Sequence, residues 1–137
     1  MPPFVDSLYL HLNKTNVRLP GENMMNARYQ YLYRLTLAEC LENKRRYVPA
    51  IEKALVALCS QKNYKGTDYY VDLVVATAGN GIAQCVTMLD DRLSPEVRAR
   101  VQCAFREKVF RPVYRCLEET KPFWWFTATN NWNSVCL

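Results

Sequence analysis

Residues 24–43, MMNARYQYLYRLTLAECLEN, decide the fold class. Tyr29, Leu32, Tyr33, Leu37, Cys40 and Leu41 fall close to helical spacing, with Thr36 the one polar member of that face. The stretch therefore reads as an amphipathic α-helix. Beyond it, Arg45, Arg46 and Tyr47 lead to Pro49, a residue suited to a helix's first turn because its missing N–H has no intrahelical partner there. Ile51, Leu55, Leu58 and Cys59 then continue at helical steps, giving a second helix that packs back on the first. Before Asn23 the chain carries Pro2, Pro3, Pro20 and Gly21, and Leu8, Leu10 and Leu12 alternate. Residues 1–22 thus read as an opening segment, either a short strand or an irregular arm.

The polar break SQKNYKG, residues 60–66, ends the second helix, with Gly66 as its stop. Asp68 opens DYYVDLVVATAGNGIAQCVTMLDD, residues 68–91, a long buried helix whose Gly79 and Gly81 each cost about 1 kcal/mol against alanine. Glycines kept at that cost point to a close approach of another helix. Ser94, Pro95 and Glu96 form a helix start: a hydroxyl to cap, a proline with no N–H to satisfy and a carboxylate to complement the dipole. Pro112 should kink or divide the helix that follows, because it removes one hydrogen bond and crowds the turn before it. Helix follows helix across short polar connections. The fold class is all-α, built of antiparallel helical hairpins over residues 23–120, with a Trp/Asn-rich segment at 121–137. About three hairpin units of 35–47 residues fit into this length.

At 137 residues, half of them hydrophobic and 23% charged, the composition suits a single folded domain rather than a disordered chain. No apolar window is long enough for a membrane span, and the first residues carry no basic leader of a signal peptide. The net charge of +5 favours polyanionic partners without choosing among them. Eight cations face four acids between Arg92 and Lys121, although a basic helical face is ordinarily a solvated surface. The six cysteines are scattered, with no CxxC pair and with His11 the single histidine, so neither a metal site nor a cofactor site is expected. Cys40, Cys59, Cys85 and Cys103 lie in apolar helical stretches and read as buried reduced thiols. His11, isolated in SLYLHLNK, reads as a packed or surface side chain.

The segment KPFWWFTATNNWNSVCL, residues 121–137, concentrates all three tryptophans together with Asn130, Asn131 and Asn133. Aromatic faces stack on the apolar faces of sugar rings, and asparagine amides offer donors and an acceptor in a fixed plane to hydroxyls and carboxylates. The alternative is structural: Trp124, Trp125 and Phe126 fill the core while the asparagines cap the next helix.

The run TNNWNSVC, residues 129–136, resembles the Asn-Asn-Trp-Asn segment in the α-helical domain of heparinase II/III-like polysaccharide lyases. The helices before it, including residues 69–101, are similar to the same domain in a diffuse way. The resemblance implies an incomplete (α/α) toroid, followed in the family by a C-terminal β-sandwich domain. Between the two lies a cleft for an acidic polysaccharide of the heparin type or a related one. For the parent protein it implies a periplasmic or secreted location. The reaction implied is β-elimination at a uronic acid, in which a base removes the proton beside the carboxylate and the glycosidic oxygen departs from the neighbouring carbon. Negative charge then concentrates on the carboxylate, so preorganised donors must stabilise it.

Asn131 is the first candidate for that neutralising role, with Asn133 the second. In an extended segment Asn131 and Asn133 share a side, whereas on a helix Asn130 and Asn133 share a face. Asn130, Trp132, Asn133 and Trp125 are expected to bind substrate, and Arg111 and Arg115, four apart, to attract it. The family's catalytic tyrosine and histidine lie beyond the motif, so none of Tyr64, Tyr69 and Tyr70 is promoted to a base and the isolated chain is expected to be inactive. Two other classes compete. One is a non-catalytic helical interaction module with a basic face, although no nucleic-acid reading motif is present. The other is a toroidal glycoside hydrolase, which needs a suitably separated acid pair that Asp68, Asp72, Asp90 and Asp91 do not identify by spacing.

Overall fold

The computed structural model describes residues 1–61, 73–119 and 124–136, without the side chains of Leu12, Asn13, Leu73, Val74, Asn133 and Cys136. The expected stop at Gly66, the start at Asp68 and the residues Tyr64, Tyr69, Tyr70, Asp72 and Lys121 lie outside the described residues. Those that are described are all-α, with no strand among them. The opening segment is itself helical, in two short pieces, α1 (Asp6–Tyr9) and α2 (His11–Thr15). The first long helix, α3, spans Leu19–Glu42 and so begins four residues earlier than the sequence suggests, with Pro20 in its first turn. It is followed by α4 (Val48–Cys59), α5 (Leu73–Leu89), a 3₁₀ turn over Asp90–Arg92 and α6 (Pro95–Phe105). A π-helical turn over Arg106–Phe110 then joins α6 to α7 (Arg111–Glu118), before α8 (Trp124–Thr127) and α9 (Asn131–Cys136).

Two hairpins make the core. Gln61, just past α4, donates from Nε2 to the sulfur of Met25 near the start of α3, so α4 runs back along α3. In the second hairpin the start of α5 meets the end of α6, where Gly79 lies beside Val109 and Phe105. The hairpins stack with like helices side by side. Tyr33 and Cys40 of α3 meet Gly81 and Met88 of α5, while Glu52 and Cys59 of α4 meet Ser94 and Lys108 across from them. Ile51, Leu55 and Leu58 of α4, at the positions expected from spacing, pack with Leu32, Ile82, Leu89, Leu93 and Val97 into one core.

The buried face of α3 differs from the one that apolar spacing selects. Leu37 is exposed and Leu41 is 87% exposed; Thr36, the polar member of the expected face, is buried, and Arg28 and Glu39 are buried with it. Each charged member has a partner distant in sequence or in the next turn of chain. Arg28 donates to the Pro2 carbonyl at 2.5 Å and lies over the Phe4 ring. Its burial lowers the guanidinium pKa. The Glu39 carboxylate accepts the backbone N–H of Arg45 at 2.6 Å and of Tyr47 at 3.0 Å. These bonds shape the connection between α3 and α4, in which Asn43 and Arg45 both hold left-handed backbone angles.

The glycine of closest approach is Gly81. A β-carbon there would stand 1.5 Å from the Tyr33 hydroxyl and 2.5 Å from its Cζ, so the ring itself blocks any side chain. Gly81→Val is expected to lower stability by about 1–3 kcal/mol through overpacking. Tyr33→Ala in the same chain should recover part of the loss. Thermal or denaturant unfolding of the two variants checks both outcomes, and equal destabilisation with and without Tyr33 would contradict the contact.

At α6, Ser94 occupies the N-cap position in extended backbone, but its hydroxyl makes no capping bond. Its backbone N–H instead donates to Glu52 Oε1 at 2.6 Å. Pro112 divides the following helix, as its chemistry requires. The break takes the form of the wide π turn, with Pro112 inside the first turn of α7.

Candidate functional site

The tail folds as two short helices on a second, smaller core. Trp125 is 0% exposed and packs with Cys116 and with Val75, Ala76, Val113, Phe126 and Trp132. It therefore anchors the segment and has no face to offer a sugar, which corrects its expected place among the substrate-binding residues. Its neighbour Trp124, one residue back and so turned by about 100° on a helix, is 51% exposed. The Trp124 and Trp132 rings lie 5.1 Å apart at a tilt of 59°. The indole face available at this surface is thus that of Trp124, a residue that sequence reasoning assigned to packing. No spacing rule distinguishes two adjacent tryptophans; only the identity of the helix they pack against does.

The asparagines divide similarly. Asn130 accepts the backbone N–H of Trp132 on Oδ1 at 3.1 Å, the bond of an N-cap residue to the second position of α9. It caps the helix, as the structural alternative expects, and the residue is exposed. Asn131, the first residue of α9, is exposed. Because residues 131–136 are helical, alternate positions do not share a side, so the pairing of Asn131 with Asn133 expected of an extended strand does not form. The Asn133 side chain lies outside the described residues. Asn131, the exposed Trp124 ring and the half-buried Trp132 are what the fold brings together here.

The two arginines stand differently. Arg111 is exposed and pairs with Glu107 at 2.6 Å, an i,i+4 contact within its own helical stretch. An exposed pair of this kind contributes about 0.3–0.5 kcal/mol. Arg115 is half-buried on α7. Val113 and Cys116 of α7 face the Trp125 cluster.

A small, partly open cavity of about 80 Å³ lies between the two hairpins, lined by Met25, Tyr29, Leu58, Ile82, Phe105 and Lys108 among others. It holds two or three waters at most, and ligand pockets start near 300 Å³. Lys108, carried into it by the π turn, donates from Nζ to the carbonyls of Cys59 and Gln61 and so caps the end of α4. Burial lowers the Lys108 pKa and raises those of the Cys59 and Cys85 thiols. These are structural groups. Cys103, expected to be buried, is exposed, and Cys40 is half-buried.

Among the described residues no three His, Cys, Asp or Glu side chains gather as metal ligands, and no helix is long and apolar enough to cross a membrane. Asp90 and Asp91 are both exposed in the 3₁₀ turn, while Asp68 and Asp72 lie outside the described residues. Comparison with models of known protein families and with curated proteins finds no match to this chain.

Proposed function

We propose that this chain is part of the helical domain of a polysaccharide lyase, and that Asn131 donates from its amide to the carboxylate of a bound uronic acid. The observation that carries this reading is the exposure of Asn131, next in the chain to Trp132, whose ring lies 5.1 Å from that of exposed Trp124, on a segment held in place by buried Trp125. A sugar stacked on Trp124 would bring its carboxylate within reach of that amide. The likeness of TNNWNSVC to the family's segment supports the same assignment. The side-by-side stacking of like helices in the two hairpins is the arrangement an (α/α) toroid would extend with further hairpins. In the reaction, loss of the proton beside the carboxylate builds negative charge on it, and the amide stabilises that charge more in the transition state than in the ground state. The proton transfers belong to groups that cannot be carried onto this chain, so by itself it binds an acidic polysaccharide and does not cleave it. The partner that completes the cleft is the parent's C-terminal β-sandwich domain.

The test is formation of unsaturated uronide, followed by ultraviolet absorbance, in the parent protein with heparan-type, chondroitin-type and alginate polymers. Asn131→Ala is expected to lower kcat by about 10²–10³ with little change in KM, as for removal of one preorganised donor. Trp124→Ala should chiefly raise KM. Absence of product with every polymer, or unchanged turnover after Asn131→Ala, would reject the role.

A further inference from the structure

We infer that the groove between α5 and α6 is the docking site of an amphipathic helix with an acidic flank, supplied by another polypeptide. This goes beyond the lyase reading and does not rest on it. The hairpin of α5 and α6 is covered on one side by α3 and α4. On its other side α5 and α6 stand apart around an open groove of about 540 Å³. Its lining is chiefly aliphatic and aromatic, with Val86, Val101, Phe105, Phe110 and Tyr114. Phe110 is 49% exposed and Tyr114 60%, so both have area left to bury. The volume falls in the range of ligand sites, unlike the smaller cavity between the two hairpins.

Shape favours a helix. From Val101 to Phe110 the wall runs about 14 Å, the length of two to three helical turns carrying apolar anchors at i, i+3 or i+4, and i+7. The π turn contributes to this wall, since it sets Phe105, Arg106 and Phe110 along the same opening. Charge then selects the kind of helix. Arg98, Gln102 and Arg106 follow one another at steps of four, and Arg106 lines the groove. Neither guanidinium makes an ion pair or hydrogen bond with a described residue. A glutamate-rich flank would meet both, whereas a second copy of a chain of net charge +5 would bring repulsion to the same rim.

The experiment uses the 137-residue chain and fluorescently labelled synthetic peptides read by anisotropy. One peptide is an amphipathic helix with leucine anchors and glutamate flanks; the second has lysine for glutamate; the third has a central proline. The glutamate peptide alone is expected to bind. Arg106→Glu and Phe110→Ala should each weaken it about tenfold or more, with helix content unchanged by circular dichroism, and Leu37→Ala on exposed α3 should leave it unaffected. The inference is overturned if no peptide binds, if the lysine or proline peptide binds as well, or if both groove variants bind normally. It is also overturned if Phe110→Ala abolishes self-association of the chain in sedimentation, which would make a second copy the occupant. An acidic oligosaccharide that loses its binding on Arg106→Glu while the glutamate peptide does not would likewise reject it.

Discussion

Replacing Glu39 by alanine is expected to lower the unfolding free energy by about 3–5 kcal/mol, the largest effect of any single charged residue here. The side chain is 0% exposed, and its two oxygens are taken by the backbone N–H groups of Arg45 and Tyr47. Hydrogen bonds to an ionised acceptor are each worth about 1.5–3 kcal/mol, and alanine leaves both donors without a partner. The connection has a further reason to need them. Asn43 and Arg45 hold φ of 52° and 60°, a conformation that costs an ordinary L-residue about 1–2 kcal/mol and that Asn tolerates better than Arg. With the carboxylate gone, Arg45 keeps the reach of its guanidinium to the Arg92 carbonyl at 3.0 Å but loses the bond that its backbone N–H makes. Glu39→Gln should lose less, since one amide oxygen still accepts while the amide NH₂ opposes the second donor. Urea titration of both variants gives the comparison; a cost under about 1 kcal/mol for alanine, with an unchanged m-value, would mean that the turn holds itself.

Trp125→Ala should cost about 3–5 kcal/mol, the loss typical of deleting a fully buried indole. Its expression should be local. Trp125 belongs to the smaller cluster with Cys116, Val113 and Trp132, separate from the core built on Leu32, Ile51, Leu55 and Leu89. Hydrogen exchange is therefore expected to quicken across α7, α8 and α9 while α3 and α4 keep their protection. Trp125→Phe, which refills much of the space, should retain most of the difference. Uniform loss of protection over the whole molecule would show that the two cores unfold as one. Because the tail that carries Asn131 and Trp124 is held by this anchor, the glycan binding proposed above should weaken in parallel with the loss of tail protection.

These two residues also mark where the sequence could be read and where it could not. The helix α4 was legible because Ile51, Leu55, Leu58 and Cys59 form one apolar stripe at helical steps, and all four are buried. On α3 the same rule selects Leu37 and Leu41, which face solvent, because burial there follows the partners of Arg28 and Glu39 instead. The Pro2 carbonyl and the N–H groups at 45 and 47 are invisible to a periodicity confined to one helix. Alternation at Leu8, Leu10 and Leu12 left a short strand or an irregular arm as readings, yet α1 and α2 are short helical turns, and with so few residues the pattern carries little information. Gly79 and Gly81 left a close helix contact or a break near Asn80 as readings, and at Gly81 the preferred one holds, with Tyr33 as the neighbouring group. At the candidate site the motif drew attention to residues 129–136. It could not separate the capping Asn130 from the exposed Asn131, or buried Trp125 from exposed Trp124, because those roles depend on which side of a short helix meets α5 and α7.

The wide turn over Arg106–Phe110 has a consequence for how this chain tolerates length changes. It holds one residue more than an ordinary α-turn would, and everything after it is phased accordingly. Excising a single residue there would leave a regular helix that sequence scoring would favour. The five residues of the wide turn sweep about the same angle as four residues of a regular helix at about 100° each, so Val113 and Cys116 would still face the tryptophan they support. The turn thus stores one spare residue, and a one-residue deletion should be better tolerated at this point than within α6 or α7, where it would rotate the following face by about 100° off its partners.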